Sequence, residues 1–281
     1  MNLAAPDMQV VVANGARIPS LGFGTYGMRG DALSDIIPAA LHAGFRHIDT
    51  AQVYANESDV GRGISQSGVP RDDIFITTKV WAPNCAPRLM GPSVDESLRK
   101  LGTDHVDLLL LHWPNSAVPL EDQIGALNDV VRAGKARHIG VSNYNRALLA
   151  KAVQVSDHPL VTNQFEYHPY LEQRALASAT REAGLAVTAY CAMSVGRVFA
   201  DPRLREIAAR NGRTVSQVVL RWLVQQGGVV ALSRTSNPGR LAENTAIFDF
   251  ELLEEDMAAI FELAEPGSRI VDPAGLAPAW D

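Results

Sequence analysis

The sequence predicts an α/β chain folded as a (β/α)8 TIM barrel, with an N-terminal β-hairpin across its floor and extra helices at the C-terminal end. Three observations carry this expectation. Short apolar, β-rich runs alternate with amphipathic stretches along the chain, a spacing that fits repeated βα units feeding a parallel sheet. Gly44, Gly68, Gly134, Gly184 and Gly227 each follow a helical stretch, where a C-terminal cap belongs. The 281 residues contain no Pro-, Ser- or Gly-rich linker and no charge block, which suits one barrel domain over 1–281 better than two smaller ones.

In chain order, residues 9–12 and 16–21 flank Asn14-Gly15 and read as a hairpin, interrupted by Pro19. Barrel strands fall at 45–50, 74–80, 106–112, 138–142, 161–165, 186–192 and 229–233, with 246–248 as the eighth. Helices fall between them at 32–43, 58–67, 93–101, 120–133, 146–155, 173–183 and 215–226. Residues 238–245 form a short helix whose first N–H groups would face the space above the seventh strand, an anion site in barrels of this kind. Residues 253–264 begin with acidic side chains, which suits a helix N-terminus, and pack on the outside.

Gly22, Gly24 and Gly27 spell GxGxxG, and Asp49 follows at a distance that fits a dinucleotide fingerprint. Such a fingerprint should follow a buried parallel strand, and here a hairpin precedes it. The glycines are therefore read as opening the loop that leads to the first helix.

An apolar share of 47% is ample for one large core, and the net charge of −6 argues against nonspecific nucleic-acid binding. No apolar run reaches the roughly 18–20 residues a membrane span needs, and the first ten residues lack the basic and apolar regions of a signal peptide. The expected setting is the cytoplasm. Cys85 and Cys191 have no metal-ligand spacing and read as free thiols, which leaves the Asn56-Glu57-Ser58 sequon without a glycosylation role. With no heptads or large apolar stripe, a monomer is expected.

Asp49, Lys79 and His112 stand at strand ends, and Tyr54 follows the first by one short loop. Barrel enzymes build their sites at that edge. Carbonyl reduction needs an acid to protonate the nascent alkoxide, and a phenol of pKa near ~10 does this poorly alone. A neighbouring ammonium stabilises the phenolate and lowers that pKa, which suits Lys79, with Asp49 neutralising and orienting it. His112 would orient the carbonyl oxygen, and the chemistry needs no metal. Taken singly, these residues read as a cap, a surface charge, a half-buried aromatic and a satisfied core histidine. Their joint placement favours the catalytic reading.

Around these residues the chain resembles the aldo-keto reductase family. The matching stretches are GFGTYG (22–27), FRHIDTAQVYANESDVGRGI (45–64), ITTKVW (76–81), DHVDLLLLHWP (104–114), GVSNYN (140–145), NQFEYHP (163–169) and NPGRLAEN (237–244), in the family's order. The resemblance implies hydride transfer between NADPH and an aldehyde or ketone, with weaker use of NADH. It implies carboxamide hydrogen bonds from Ser142, Asn143 and Gln164, Tyr190 stacked on the ring, Asp49 reaching the nicotinamide ribose, and Thr25 among the cofactor contacts. The adenosine 2′-phosphate would meet Arg234, Thr235, Arg240 and Asn244. Arg234-Thr235 departs from the family's Lys-Ser pair, and arginine's planar fork retains affinity with altered geometry. Cys191 stands where serine is common, leaving a pyrophosphate contact to its backbone amide.

Tyr26, Trp81, Trp113 and Trp280 are candidates for an apolar mouth that takes a small-molecule carbonyl substrate. Tyr26 replaces a tryptophan common in the family, which enlarges or polarises that wall. Two other readings stand beside the reductase: a catalytically silent NADPH-binding regulatory protein on the same barrel, and a barrel isomerase or lyase using a Schiff base at Lys79.

Overall fold

The structure, a computed structural model, describes residues 9–281. The reading of the N-terminal segment as leader-free falls largely on residues 1–8, which lie outside the described residues.

Asn14 and Gly15 both take positive φ, 43° and 86°, as a two-residue hairpin turn of the I′ kind requires. The turn joins β1 (Val10–Ala13) to β2 (Ala16–Pro19) in antiparallel register, with Val10 opposite Pro19. Eight parallel strands then close a barrel: β3 (Leu21–Gly24), β4 (His47–Asp49), β5 (Phe75–Val80), β6 (Val106–Leu111), β7 (Ala136–Ser142), β8 (Leu160–Glu166), β9 (Ala186–Tyr190) and β10 (Val229–Ser233). β10 pairs back onto β3, with Ala231 opposite Leu21.

The helices are α1 (Gly30–His42), α2 (Glu57–Ser67), α3 (Pro87–Leu101), α4 (Leu120–Arg132), α5 (Arg146–Val155), α6 (Arg174–Glu182), α7 (Pro202–Arg210), α8 (Val215–Gln225), α9 (Leu241–Thr245) and α10 (Glu254–Phe261). Their ends are chemically marked. Asn145 caps α5 by accepting from Leu148 N at 2.9 Å, and Thr214 with Gln217 forms a reciprocal capping box on α8.

Strand alternation divides the core in two. On β6, Leu109 and Leu111 pack towards the helices, while Leu108 and Leu110 share an interior cluster with Ala13, Ala16 and Ile18 of the hairpin. The hairpin therefore plugs the amino end of the barrel, as expected. Each fully buried side chain of leucine size adds about 1.5–3 kcal/mol relative to exposure.

Three expectations are corrected. Residues 246–248 are not the eighth strand; they lie in a turn, where Ile247 is buried in the helix-facing core. The missing strand is β3, and Gly22 and Gly24 lie inside it, not in a loop. Gly22 faces the barrel interior, where an added Cβ would sit 2.6 Å from Leu232 Cδ2 and 2.8 Å from His47 Nδ1. Close packing inside the barrel, not phosphate binding, requires that glycine. Finally, α7 lies in a stretch not assigned to any element; Asp201 caps it by accepting from Arg203 N and Leu204 N.

Candidate active site

The alternation that buries Leu108 and Leu110 also builds the site. His47 and Asp49 of β4, Thr77 and Lys79 of β5, and Thr162 and Gln164 of β8 point into the barrel. His47 Nε2 lies 2.9 Å from Thr77 Oγ1, and Thr162 Oγ1 lies 2.8 Å from Thr188 Oγ1. One layer nearer the mouth, Lys79 Nζ donates to Asp49 Oδ1 at 2.5 Å and to Thr50 O at 2.9 Å. Gln164 Nε2 donates to the other Asp49 oxygen at 2.9 Å. His112, one residue past β6, completes the layer.

Tyr54 ends a 3-10 turn, Gln52–Tyr54, and Ala55 closes it in the left-handed region at φ 53°. The Tyr54 ring centre lies 5.1 Å from Lys79 Nζ, and the ring meets His112 edge-on with centroids 5.6 Å apart. The four residues singled out in the sequence therefore converge.

Their electrostatics differ from expectation in one respect. Burial pushes the Tyr54 phenol well above its usual value, and the negative charge of Asp49 adds to this. In the resting site burial and the Asp49 charge outweigh any downward pull on the phenol from Lys79, whose ammonium is bound to Asp49. Burial also lowers the Lys79 ammonium, opposed by Asp49. His112 is held well below its usual range by burial and then by the Lys79 charge, so it is a neutral imidazole. Its Nδ1 is buried without a partner.

Two residues without a predicted role hold this arrangement. Gln52 Nε2 donates to Ser93 O, Ser93 Oγ and Ser97 Oγ at 3.1–3.2 Å, while its Oε1 accepts from Trp81 N at 2.9 Å and Asn84 Nδ2 at 3.0 Å. It ties the Tyr54 turn to Trp81 and α3. Asn56, noted in the sequence only as a sequon, is buried; it donates to Thr25 O and Met28 O at 3.0 Å and accepts from Thr50 Oγ1 at 2.7 Å. A cavity of about 350 Å³ beside Trp81 is lined by Gln52, Glu57, Asn84, Ser93 and Ser97. Much of that polar lining is already engaged in the Gln52 network.

Beside the centre, Asn143 takes φ 63° and turns its amide inward. Its Nδ2 donates to His112 O and Ser142 Oγ, both at 3.0 Å, and its Oδ1 accepts from Tyr190 OH at 2.6 Å. Ser142 Oγ donates to Gln164 O at 2.9 Å, and Thr25 Oγ1 to Asp49 O at 3.0 Å. Thr25, Ser142, Asn143, Gln164 and Tyr190 are thus brought together, bonded largely to one another and to Asp49.

Past β10, the expected short helix is a 3-10 turn, Pro238–Arg240, followed by the five-residue α9. Its first N–H groups do not face an open anion site: Asn237 Oδ1 accepts from Gly239 N at 2.9 Å, and Asn237 O from Arg240 N at 3.1 Å. Arg234 and Arg240 are exposed and make no ion pair with a described residue. Thr235 Oγ1 accepts from Asn237 N at 3.0 Å, and Asn244 Nδ2 donates to Ser233 Oγ at 2.9 Å while its buried Oδ1 has no partner.

At the mouth, Tyr26 is 68% exposed and meets Tyr54 edge-on at 5.1 Å, and Trp81 meets His112 at 5.6 Å. Trp113 is buried, and Trp280 crosses it edge-on at 6.4 Å. The terminal segment is fastened here. Buried Glu166 accepts from Ile270 N and Val271 N at 2.7 Å, Trp280 Nε1 donates to Asp272 Oδ1 at 2.8 Å, and the Arg269 guanidinium stacks 3.6 Å from the Trp280 ring centre.

Known proteins give this geometry a family. The profile of the Aldo/keto reductase family matches residues 20–265. The chain is 40% identical to methylglyoxal reductase DkgB of Salmonella typhi over 268 residues, covering 94% of this chain and 99% of that one. A solved structure provisionally described as 2,5-diketo-D-gluconic acid reductase B is 57% identical with a TM-score of 0.96, covering 98% of each chain. An aldo-keto reductase of Bombyx mori, solved in complex with NADP, is 32% identical with a TM-score of 0.86, covering 96% of this chain and 95% of that one. With relatives aligned along nearly their full lengths and a profile running from the end of the hairpin to beyond α10, the chain belongs to the aldo/keto reductase family and is an oxidoreductase acting on carbonyl compounds.

Proposed function

We propose that the protein reduces an aldehyde or ketone to the alcohol with NADPH, using Tyr54 as the general acid, and that the same groups serve the reverse oxidation. The observation that carries this reading is the convergence of Tyr54, Lys79, Asp49 and His112 at the barrel mouth, with the Tyr54 ring close to both His112 and the buried ammonium.

The cofactor fits residues on this chain. A half-buried aromatic face at Tyr190, an unpartnered buried Asn244 Oδ1 and two unpaired arginines past β10 suit a ring, a ribose-phosphate and negative charge in turn. Thr25, Ser142, Asn143, Gln164 and Tyr190 would hold the nicotinamide, and Arg234, Thr235, Arg240 and Asn244 the phosphate end. Those arginines favour NADPH over NADH. When bound, the cofactor supplies a hydride to the carbonyl carbon.

Every other step belongs to side chains. Burial keeps Tyr54 protonated, so it meets the substrate as a neutral phenol able to donate to the carbonyl oxygen. As negative charge gathers on that oxygen, the phenolic proton moves to it, and the Lys79 ammonium balances the phenolate left behind. Asp49 fixes the ammonium in place, and Gln164 fixes Asp49. His112 is neutral and its Nδ1 has no acceptor, so its single proton belongs on Nε2, because a buried orphan N–H costs more than an unused lone pair. From Nε2 it donates to the carbonyl oxygen and orients it.

The names of the relatives, a methylglyoxal reductase and a diketogluconic acid reductase, both denote substrates with two carbonyl groups, which supports a small dicarbonyl as substrate. The test is turnover of such carbonyls by the wild type and Tyr54→Phe, with NADPH affinity measured separately. Loss of about 10²–10⁴ in kcat with unchanged NADPH affinity is expected. Near-wild-type turnover would remove Tyr54 from its role, and tight NADPH binding without any turnover would favour a silent cofactor-binding protein.

A further inference from the structure

We infer that the cavity beside Trp81 is a second binding site, distinct from the reacting centre, and that it takes a small organic cation bearing a primary ammonium, held by Glu57 and the Trp81 indole.

The site follows from the alternation that builds the barrel interior. Lys79 points inward from β5, so its neighbour Thr78 points outward, towards the helices. There Thr78 Oγ1 donates to Glu57 Oε1 at 2.6 Å, and Glu57 is the first residue of α2. Ser93, Ser97 and Lys100 recur at helical spacing and share one face of α3. Farther from the mouth the two helices touch at Gly61, where an added Cβ would lie 2.6 Å from Leu101 O. Nearer the mouth that face of α3 carries serines, and the space their short side chains leave is the cavity of about 350 Å³. Small-molecule sites span roughly 300–1,000 Å³, and this one falls in that range.

Charge decides what the cavity takes. Glu57 is 2% exposed, yet it makes no ion pair with a described residue. Burial raises its carboxyl above the ordinary value, while the Thr78 and Ser97 hydroxyls, and then the Lys100 charge, pull it back. Those hydroxyls and the N-terminus of α2 favour the ionised form without neutralising it. The other charges in the lining, Lys100 and Glu96, pair with each other at 3.4 Å. What remains is one buried negative charge beside an indole.

Neutral ligands find little to bond, because the Gln52 amide is engaged at both ends. An ammonium completes a buried carboxylate through a charge-assisted hydrogen bond, and an indole face attracts the same cation. Trp81 belongs to both sites: it lines the cavity and meets His112 edge-on at 5.6 Å. Its indole N–H therefore reports occupancy.

The experiment is a nuclear magnetic resonance titration of the full chain carrying isotope-labelled tryptophan. The chain has four tryptophans, and Trp81→Phe identifies the Trp81 indole signal. The probes are n-butylammonium chloride, at constant ionic strength, and n-butanol, which has the same shape without the charge. The ammonium should shift the Trp81 signal saturably and the alcohol should not. Glu57→Gln, its fold checked by circular dichroism, should weaken the ammonium by about tenfold or more. No saturable shift, an equal response to n-butanol, or unchanged affinity in folded Glu57→Gln would overturn the inference. The comparison of cation with alcohol is made on the wild type, so it decides the matter even where Glu57→Gln fails to fold. NADPH binding and turnover enter neither arm, which keeps this test separate from that of the reductase reading.

Discussion

The Lys79 ammonium and the Asp49 carboxylate meet at 2.5 Å inside the barrel, with Lys79 fully buried and Asp49 3% exposed. Such a pair offsets the cost of taking two charges out of water only while both partners are present. Asp49→Asn should therefore destabilise the fold by about 3–5 kcal/mol in urea unfolding, since it strands a buried cation. Adding Lys79→Met should restore much of that loss although both variants lack the ammonium–carboxylate pair. A double variant as unstable as the single one would show that packing, not charge, sets the loss.

His47 makes stability sensitive to mild acid. Burial lowers it from 6.5 to about 4, so between those values the unfolded chain binds a proton that the folded chain refuses. Stability is unaffected by this group above about pH 6.5 and falls as pH drops towards 4, by roughly 3 kcal/mol at most. Urea midpoints at pH 7 and pH 4.5 should converge in His47→Asn relative to wild type. An unchanged pH slope in the variant would show that other groups, His112 among them, carry the acid sensitivity.

Gln52 links the Tyr54 turn to Trp81, Asn84 and α3 through both ends of its amide. Gln52→Ala leaves the Trp81 N–H without its acceptor, a cost of about 1–3 kcal/mol. It should also lower kcat by about tenfold, as misplaced reacting groups do, with NADPH affinity unchanged. Loss of stability with kcat intact would reduce Gln52 to a structural tie.

The sequence made the barrel legible wherever strands were apolar and helices ended in glycine. It hid β3 because Leu21–Gly24 places glycines at its inward positions, and an inward glycine is chosen by Leu232 and His47 across the barrel, not by its own neighbours. Residues 246–248 misled for the converse reason: Ile247 is buried by long-range packing, which an apolar run cannot distinguish from a strand. α7 carried its own signal, Asp201 as cap with Pro202 at the first position, and could have been found.

The site divides in the same way. Asp49 and Lys79 could be placed because they stand at the ends of apolar strands, and Gln164 because its stretch resembles the family's. Gln52 and Asn56 could not, because their partners, Ser93, Ser97, Met28 and Thr25, are set by how loops meet and not by any local pattern. Equally hidden was the approach of Arg234 to Gly27, where an added Cβ would lie 3.3 Å from Nη2.

The fastening of the terminal segment across the mouth also sets an order of events in time. Asn145 Nδ2 donates to Ala279 O at 2.8 Å, and 134 residues separate them in the chain. At roughly 5–20 residues per second, a ribosome needs about 7–27 s to make that stretch. Throughout that interval Trp113 has no Trp280 to cross it, and the barrel itself can close only once β10, ending at Ser233, has been made. This wall beside the reacting centre is made after every barrel strand, and a chain released between Ser233 and Trp280 would carry its acid, its ammonium and its imidazole in a cup with one side open.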